Sequence, residues 1–142
     1  MDTKGRDYVK ENFPLIGIGT WQIRDRSVIF SILDVALDCG YRLIDTAEAY
    51  GNEKHIGEAL KKYLPKYHLK REDVFIISKL HPSSQGAVKS RLAIEQTLKA
   101  LNVDYLDLFL IHWPGVQKVA TADPLNSKLR LESWTVLEEF YS

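Results

Sequence analysis

Gly40-Tyr41-Arg42-Leu43-Ile44-Asp45-Thr46-Ala47-Glu48-Ala49-Tyr50-Gly51-Asn52-Glu53 is the stretch on which the fold turns. Residues 42–45 form a short strand candidate that ends on a carboxylate. Ile56, Ala59, Leu60 and Tyr63 follow at i, i+3, i+4 and i+7, which is the spacing of one helix face. Pro65 is expected to end that helix. The stretch therefore describes one βα unit with a chemically loaded loop between its strand and its helix.

Outward from this unit the pattern repeats. Leu15-Ile16-Gly17-Ile18-Gly19, ended by Thr20, precedes Ile29, Ile32, Leu33 and Ala36 at helical spacing, with Gly40 as a stop. Residues 74–78 precede a polar loop and a helix near residues 88–101, with Ile94, Leu98 and Leu101 inward. A strand from Leu106 or Asp107 to Ile111 precedes a long loop holding Pro114, Gly115 and Pro124. A last helix follows, with Trp134, Leu137 and Tyr141 as its inner stripe. The strands are near-continuously apolar, as parallel sheets covered by helices require.

Four successive βα units over residues 14–142 follow a polar segment, residues 1–13, and no linker or low-complexity tract divides them. A (β/α)₈ TIM-type barrel needs eight units and about 250 residues. Four could also make a small open, flavodoxin-like sheet, which needs a fifth strand or a strand-order switch. Leu137-Glu138-Glu139-Phe140-Tyr141-Ser142 stops in mid-helix with no Gly or Asn cap, which reads as a cut chain.

Nineteen basic and nineteen acidic residues give a net charge of zero, and so no long-range attraction for nucleic acid or an anionic membrane. Lys61, Lys62, Lys66, Lys70 and Arg71 read as a solvated helix end and loop. No stretch approaches the ~18 apolar residues of a membrane span, and residues 1–12 lack the apolar core of a signal peptide. The lone Cys39, at the apolar end of a helix candidate, reads as a small buried hydrophobe in a reducing compartment. A cytoplasmic protein with a single core is the expectation.

In parallel α/β proteins the carboxyl ends of the strands share one face, and ligands bind there. Asp45, Tyr50 five residues on, Lys79 after residues 74–78 and His112 after the fourth strand all belong to that face. Each has a plainer reading alone: a capping pair with Thr46, an aromatic anchoring a turn, a snorkelling lysine, a satisfied buried histidine. Together they suit proton transfer. A phenol, with an ordinary pKa near ~10, is a poor acid unless its anion is stabilised, and a nearby ammonium does that. Asp45 can hold Lys79 charged and oriented, and His112 can donate a hydrogen bond to a substrate oxygen or to the phenol. Such a group can protonate a carbonyl oxygen while a cofactor delivers hydride to the carbon. His55, His68, His81 and His112 show neither His-x-His nor His-x₃-His spacing, which speaks against a metal-dependent hydrolase.

Gly17-Ile18-Gly19-Thr20-Trp21, the stretch from Gly40 to Glu53, Ile77-Ser78-Lys79 and Leu108-Phe109-Leu110-Ile111-His112-Trp113-Pro114 resemble the aldo-keto reductases from about Pro14 onward. The resemblance implies a (β/α)₈ barrel that reduces aldehydes and ketones with NADPH. It implies Tyr50 as general acid, Lys79 as the charge that favours its ionisation, Asp45 as partner of Lys79, and His112 as the group that positions the carbonyl. Gly19, Thr20 and Trp21, with Asp45, would lie against the cofactor, and Trp21 and Trp113, with Tyr50 and His112, would line the substrate pocket.

Residues 1–13 do not read as the β-hairpin with which family members open. The family's positions for the carboxamide, the stacking tyrosine and the 2′-phosphate belong to later strands, so the tetrad is complete and the cofactor cleft is not. By this resemblance the chain is expected to be an NADPH-dependent carbonyl reductase, or the amino-terminal half of one. The alternative is a truncated, inactive isoform acting as a binding or regulatory module. Open edges at the first and fourth strands predict self-association, with Ile16, Ile18, Ile44, Ile76, Phe109 and Ile111 supplying the inward candidates.

Overall fold

The computed structural model describes residues 4–141. A helix α1 (Lys4–Asn12) is followed by four βα units: β1 (Ile18–Gly19) and α2 (Arg26–Asp38), β2 (Leu43–Asp45) and α3 (Glu53–Lys66), β3 (Phe75–Leu80) and α4 (Ala87–Leu101), β4 (Leu108–Ile111) and α5 (Leu125–Tyr141). Short 3₁₀ turns at Glu48–Tyr50, Arg71–Asp73 and Pro82–Ser84 lie in the connections. The strands pair in parallel in the order β1-β2-β3-β4, with Ile18 opposite Ile44, Ile44 opposite Ile76, and Ser78 opposite Phe109. This is one half of a (β/α)₈ barrel wall.

Side chains alternate across the sheet, and register decides which set each face receives. Ile44 and Ile76 are buried against Ile29, Leu33 and Leu37 of α2, Ile56, Ala59, Leu60 and Tyr63 of α3, and Leu101 of α4. Leu43, Phe75 and Ile77, with Leu108, form a second cluster on the opposite face. The inward set is therefore this second one. Ile18, Ile44 and Ile76 face the helices, and by register so do Phe109 and Ile111. Ile16 lies outside the strand pairing and is exposed.

The polar amino-terminal segment folds onto the inner face. The Tyr8 hydroxyl donates to Asp107 Oδ1 at 2.6 Å. The Tyr8 ring stacks on Phe75 at 6.3 Å, and Phe13 meets Phe75 edge-on at 5.2 Å. Val9 packs on the Leu43–Phe75–Ile77 cluster. A helix, with no hairpin among the described residues, thus covers the amino-terminal end of these strands. Asp107 is its anchor: Oδ2 accepts from Arg71 Nη2 at 2.6 Å and from the Ile76 N–H at 2.8 Å. Arg71 accordingly leaves the solvated basic set, with its side chain 19% exposed beside an aspartate at 2%.

Other expectations are corrected by local geometry. β1 is two residues long because only Ile18 and Gly19 meet β2, so Leu15 joins Ile16 in solvent. α3 runs through Pro65 to Lys66, since a proline in the last turn forfeits one N–H without stopping the Tyr67 N–H from reaching Tyr63 O at 3.1 Å. α4 closes on Asn102 in the left-handed conformation, φ 54°. In α5 the buried side chains are Asn126, Ser133 and Val136, and the expected stripe fails at both ends, with Trp134 and Tyr141 exposed. Ser133 is buried because its hydroxyl accepts the Gly86 N–H at 2.8 Å, which turns that face toward α4. Cys39 is exposed because it stands at the C-terminal cap of α2. Among the described residues no helix is long and apolar enough to cross a membrane.

Candidate active site

Asp45 is the last residue of β2 and Lys79 lies inside β3, so the sheet itself fixes both backbones. Lys79 Nζ donates to Asp45 Oδ1 at 2.7 Å, to Thr46 O at 2.8 Å and to the Tyr50 hydroxyl at 3.3 Å. An ammonium has three protons, and here each has an acceptor. The Lys79 side chain is 12% exposed. Little solvent therefore competes for it.

Tyr50 closes the 3₁₀ turn Glu48–Tyr50, with its N–H on Ala47 O at 2.9 Å. Gly51 then takes the left-handed conformation, φ 69°, that turns the chain into α3. Glu48 ties this turn to the next loop: its carboxylate accepts the His81 N–H at 2.9 Å and the Ser84 hydroxyl at 2.8 Å.

His112 follows β4 directly, with its N–H on Leu80 O at 3.2 Å. Its ring meets Tyr50 edge-to-face at 5.7 Å and stacks with Trp113 at 6.2 Å. The imidazole and the phenol thus touch as rings and are not joined by a hydrogen bond. Burial, and next the Lys79 ammonium, push the imidazole below its ordinary 6.5. His112 is therefore neutral at physiological pH, with one donor and one acceptor nitrogen. Its Nδ1 is buried without a protein partner.

Around this group lie the remaining expected residues. The Thr20 N–H and hydroxyl both donate to Asp45 O at 3.0 Å, so the first loop is fastened to the second strand. Gly19 pairs with Asp45 and has open space where a side chain would stand. Trp21 and Trp113 are largely exposed, and both follow strand ends of the same sheet. Among the described residues no cluster of three His, Cys, Asp or Glu side chains could hold a metal ion.

Sequence reasoning missed the residues beneath the site. Asn52 is fully buried and accepts from the Thr46 hydroxyl at 2.8 Å. Glu53 is buried too, accepting from the Ser78 hydroxyl at 2.6 Å and from the Thr97 hydroxyl at 3.2 Å. Burial pushes its carboxyl up, and these two hydroxyls only partly offset that. A signal existed for Glu53, which stands three residues before Ile56 on the apolar face of α3.

Residues 15–142 match the model of the aldo/keto reductase family. A D/L-glyceraldehyde reductase of Hypocrea jecorina is 48% identical over 102 residues, 71% of this chain and 30% of the relative. An NAD(P)H-dependent D-xylose reductase of Candida tropicalis is 43% identical over 101 residues, 71% of this chain and 31% of its own length. The structure of the aldose reductase from Schistosoma japonicum superposes with a TM-score of 0.76 at 39% identity, covering 89% of this chain and 45% of that one. The chain thus spans about a third of the length of these curated relatives and under half of the solved barrel. With the family model matched over all four βα units and the same sheet found in a solved member, this chain belongs to the aldo/keto reductase family.

Proposed function

We propose that these residues form the proton-donating half of an NADPH-dependent reductase of aldehydes and ketones, with Tyr50 as its general acid. The observation that carries the reading is the Lys79 ammonium, which touches Asp45, Thr46 O and the Tyr50 hydroxyl at once. As the phenol gives its proton to a carbonyl oxygen, the cation 3.3 Å away stabilises the phenolate left behind. Asp45 keeps Lys79 charged and aimed. Neutral His112, beside the phenol, offers its N–H to the same carbonyl oxygen and fixes its orientation. Trp21 and Trp113 supply apolar walls.

A nicotinamide cofactor, when bound, supplies the hydride that no side chain can. The residues present fit its reactive end: Gly19 leaves open floor beside Asp45, whose side chain is one-third exposed (33%), and Thr20 and Trp21 border it. The name of the Candida relative supports a nicotinamide donor, and the aldose- and glyceraldehyde-reducing relatives support small polar aldehydes as substrates. The test uses a chimera joining residues 1–142 to the part of the Schistosoma japonicum barrel that they do not cover. Tyr50→Phe should abolish aldehyde-dependent NADPH consumption and leave NADPH binding intact. Turnover retained by the variant would refute the assignment.

A further inference from the structure

Buried carboxamides stand in the loops that follow β2 and β3, the strands that carry Asp45 and Lys79. Asn52, at the N-terminal cap of α3, is fully buried, and its Nδ2 donates to Thr20 O at 2.9 Å and Ile23 O at 2.8 Å. Gln85, one residue before the cap of α4, is 2% exposed, and its Nε2 donates to Trp113 O at 2.9 Å and Gly115 O at 3.0 Å. We propose that Asn52 and Gln85 are specificity-positioning residues, each of which holds the loop of one pocket tryptophan by donating to two of its carbonyls. The proposal rests on the reductase reading for the role of Trp21 and Trp113.

An amide NH₂ has two protons, and a tight loop can present two carbonyls to it at once. In the first loop the Ile23 N–H returns to Thr20 O at 3.2 Å, and Gln22 is held at φ 64°, a conformation unfavourable for a residue with a Cβ. Asn52 grips both ends of that turn, and Trp21 lies between them. In the fourth loop Gln85 grips the carbonyl of Trp113 itself and that of Gly115. Asn126 Oδ1 also accepts the Val116 N–H at 2.8 Å and Arg130 Nη1 donates to Pro114 O at 2.5 Å. Among the described residues Gln85 alone thus reaches the Trp113 carbonyl, while others fasten the rest of that loop.

The two clamps occupy equivalent places and reach in opposite directions. Asn52 extends from the loop after β2 to the loop after β1, and Gln85 from the loop after β3 to the loop after β4. The loops they start from adjoin the two strands that carry Asp45 and Lys79, and the first also carries Tyr50. The separation of the two tryptophan walls is therefore referenced to the proton-donating group by two side chains. Asn52 adds a link inward, since it accepts from the Thr46 hydroxyl while Thr46 O holds Lys79.

Hydrogen–deuterium exchange on the 142-residue chain tests the clamps without any activity. Asn52→Asp keeps the size of the side chain and the acceptor for Thr46 but sets a carboxylate oxygen against two carbonyls. Gln85→Met keeps the length and removes both donors. Asn52→Asp should speed exchange about tenfold in residues 20–24 and leave 113–118 unchanged, and Gln85→Met should do the reverse. Unchanged exchange in a variant's own loop would overturn the proposal. So would acceleration spread equally over β3 and α4, which would make the residue a general fold contact.

In the chimera, both variants should raise KM for a bulky aldehyde about threefold or more relative to a small one, with kcat for the small one nearly constant. A uniform fall in kcat at constant KM would also overturn it. The expected exchange pattern together with an inactive wild-type chimera would refute the reductase reading alone and leave the clamps standing.

Discussion

Replacing Lys79 by methionine keeps an unbranched apolar stem, one atom shorter, and deletes its charge. The ammonium lies 3.3 Å from the Tyr50 oxygen, where, in the proposed reaction, negative charge develops as the proton leaves. At an effective dielectric constant of ~20, unit charges at that separation attract by about 5 kcal/mol. At ~1.4 kcal/mol per decade, losing that interaction lowers the rate by up to three to four powers of ten. The figure is an upper bound, since the charge on oxygen is partial in the transition state and water can enter the vacated space.

The variant also strips Asp45 of its partner at 2.7 Å, but that carboxylate is one-third exposed (33%) and remains solvated, so the fold should survive. The assay is steady-state NADPH consumption with a small aldehyde in the chimera, beside circular dichroism and cofactor binding. The expected result is a loss of about a hundredfold to a thousandfold in kcat/KM with folding and NADPH binding retained. A Lys79→Met enzyme within about tenfold of wild type would refute the claim that this cation stabilises the phenolate.

Further outcomes follow from other contacts. Asp107→Ala leaves the Arg71 guanidinium, the Ile76 N–H and the Tyr8 hydroxyl without their common acceptor, and should cost about 3–5 kcal/mol by urea unfolding. The Tyr8 phenol, pushed up to about 12 chiefly by its bond to Asp107, should return toward its ordinary value in that variant, read by ultraviolet titration. Glu53 holds its proton more tightly folded than unfolded, because burial disfavours the carboxylate. Stability should therefore fall as pH rises from the ordinary value near 4.5 through the raised folded value, and Glu53→Gln should flatten that slope. As a free polypeptide, residues 1–142 present β1 and β4 as sheet edges with Leu110 and Trp113 exposed, and should elute larger than a monomer without tight NADPH binding. A monodisperse monomer with NADPH-dependent turnover would contradict this.

What was legible in the sequence follows from what periodicity encodes. The stripe Ile56, Ala59, Leu60 and Tyr63 is buried throughout, because an amphipathic face between two neighbouring helices has only one way to turn. The strand readings were right in place and wrong at their ends: Leu15 and Ile16 are apolar, but a strand extends only as far as its partner does. α5 was misread for a related reason, since Trp134 and Tyr141 are apolar yet the contact with α4 is made through Ser133 and Val136. The segment at residues 1–13 reads as polar, although Tyr8, Val9 and Phe13 give it a side that lies on Phe75 and its neighbours.

In the proposed site, Asp45, Tyr50 and Lys79 stand out in the sequence because each lies at or just past the end of an apolar run, although β3 itself continues through Lys79 to Leu80. Asn52 and Gln85 do not. Their partners stand 28 to 32 positions away, and no local pattern marks a carboxamide that reaches into a neighbouring loop.

Isotope transfer from deuterated NADPH to a small aldehyde by the chimera reaches the central claim most directly. The wild-type tetrad should yield an alcohol carrying deuterium at the former carbonyl carbon, detected by mass spectrometry in a single turnover. Tyr50→Phe, with cofactor and aldehyde bound, should yield none on the same timescale. Deuterium transfer by Tyr50→Phe at the wild-type rate would contradict the account, because the carbonyl oxygen would then be taking its proton from some other group.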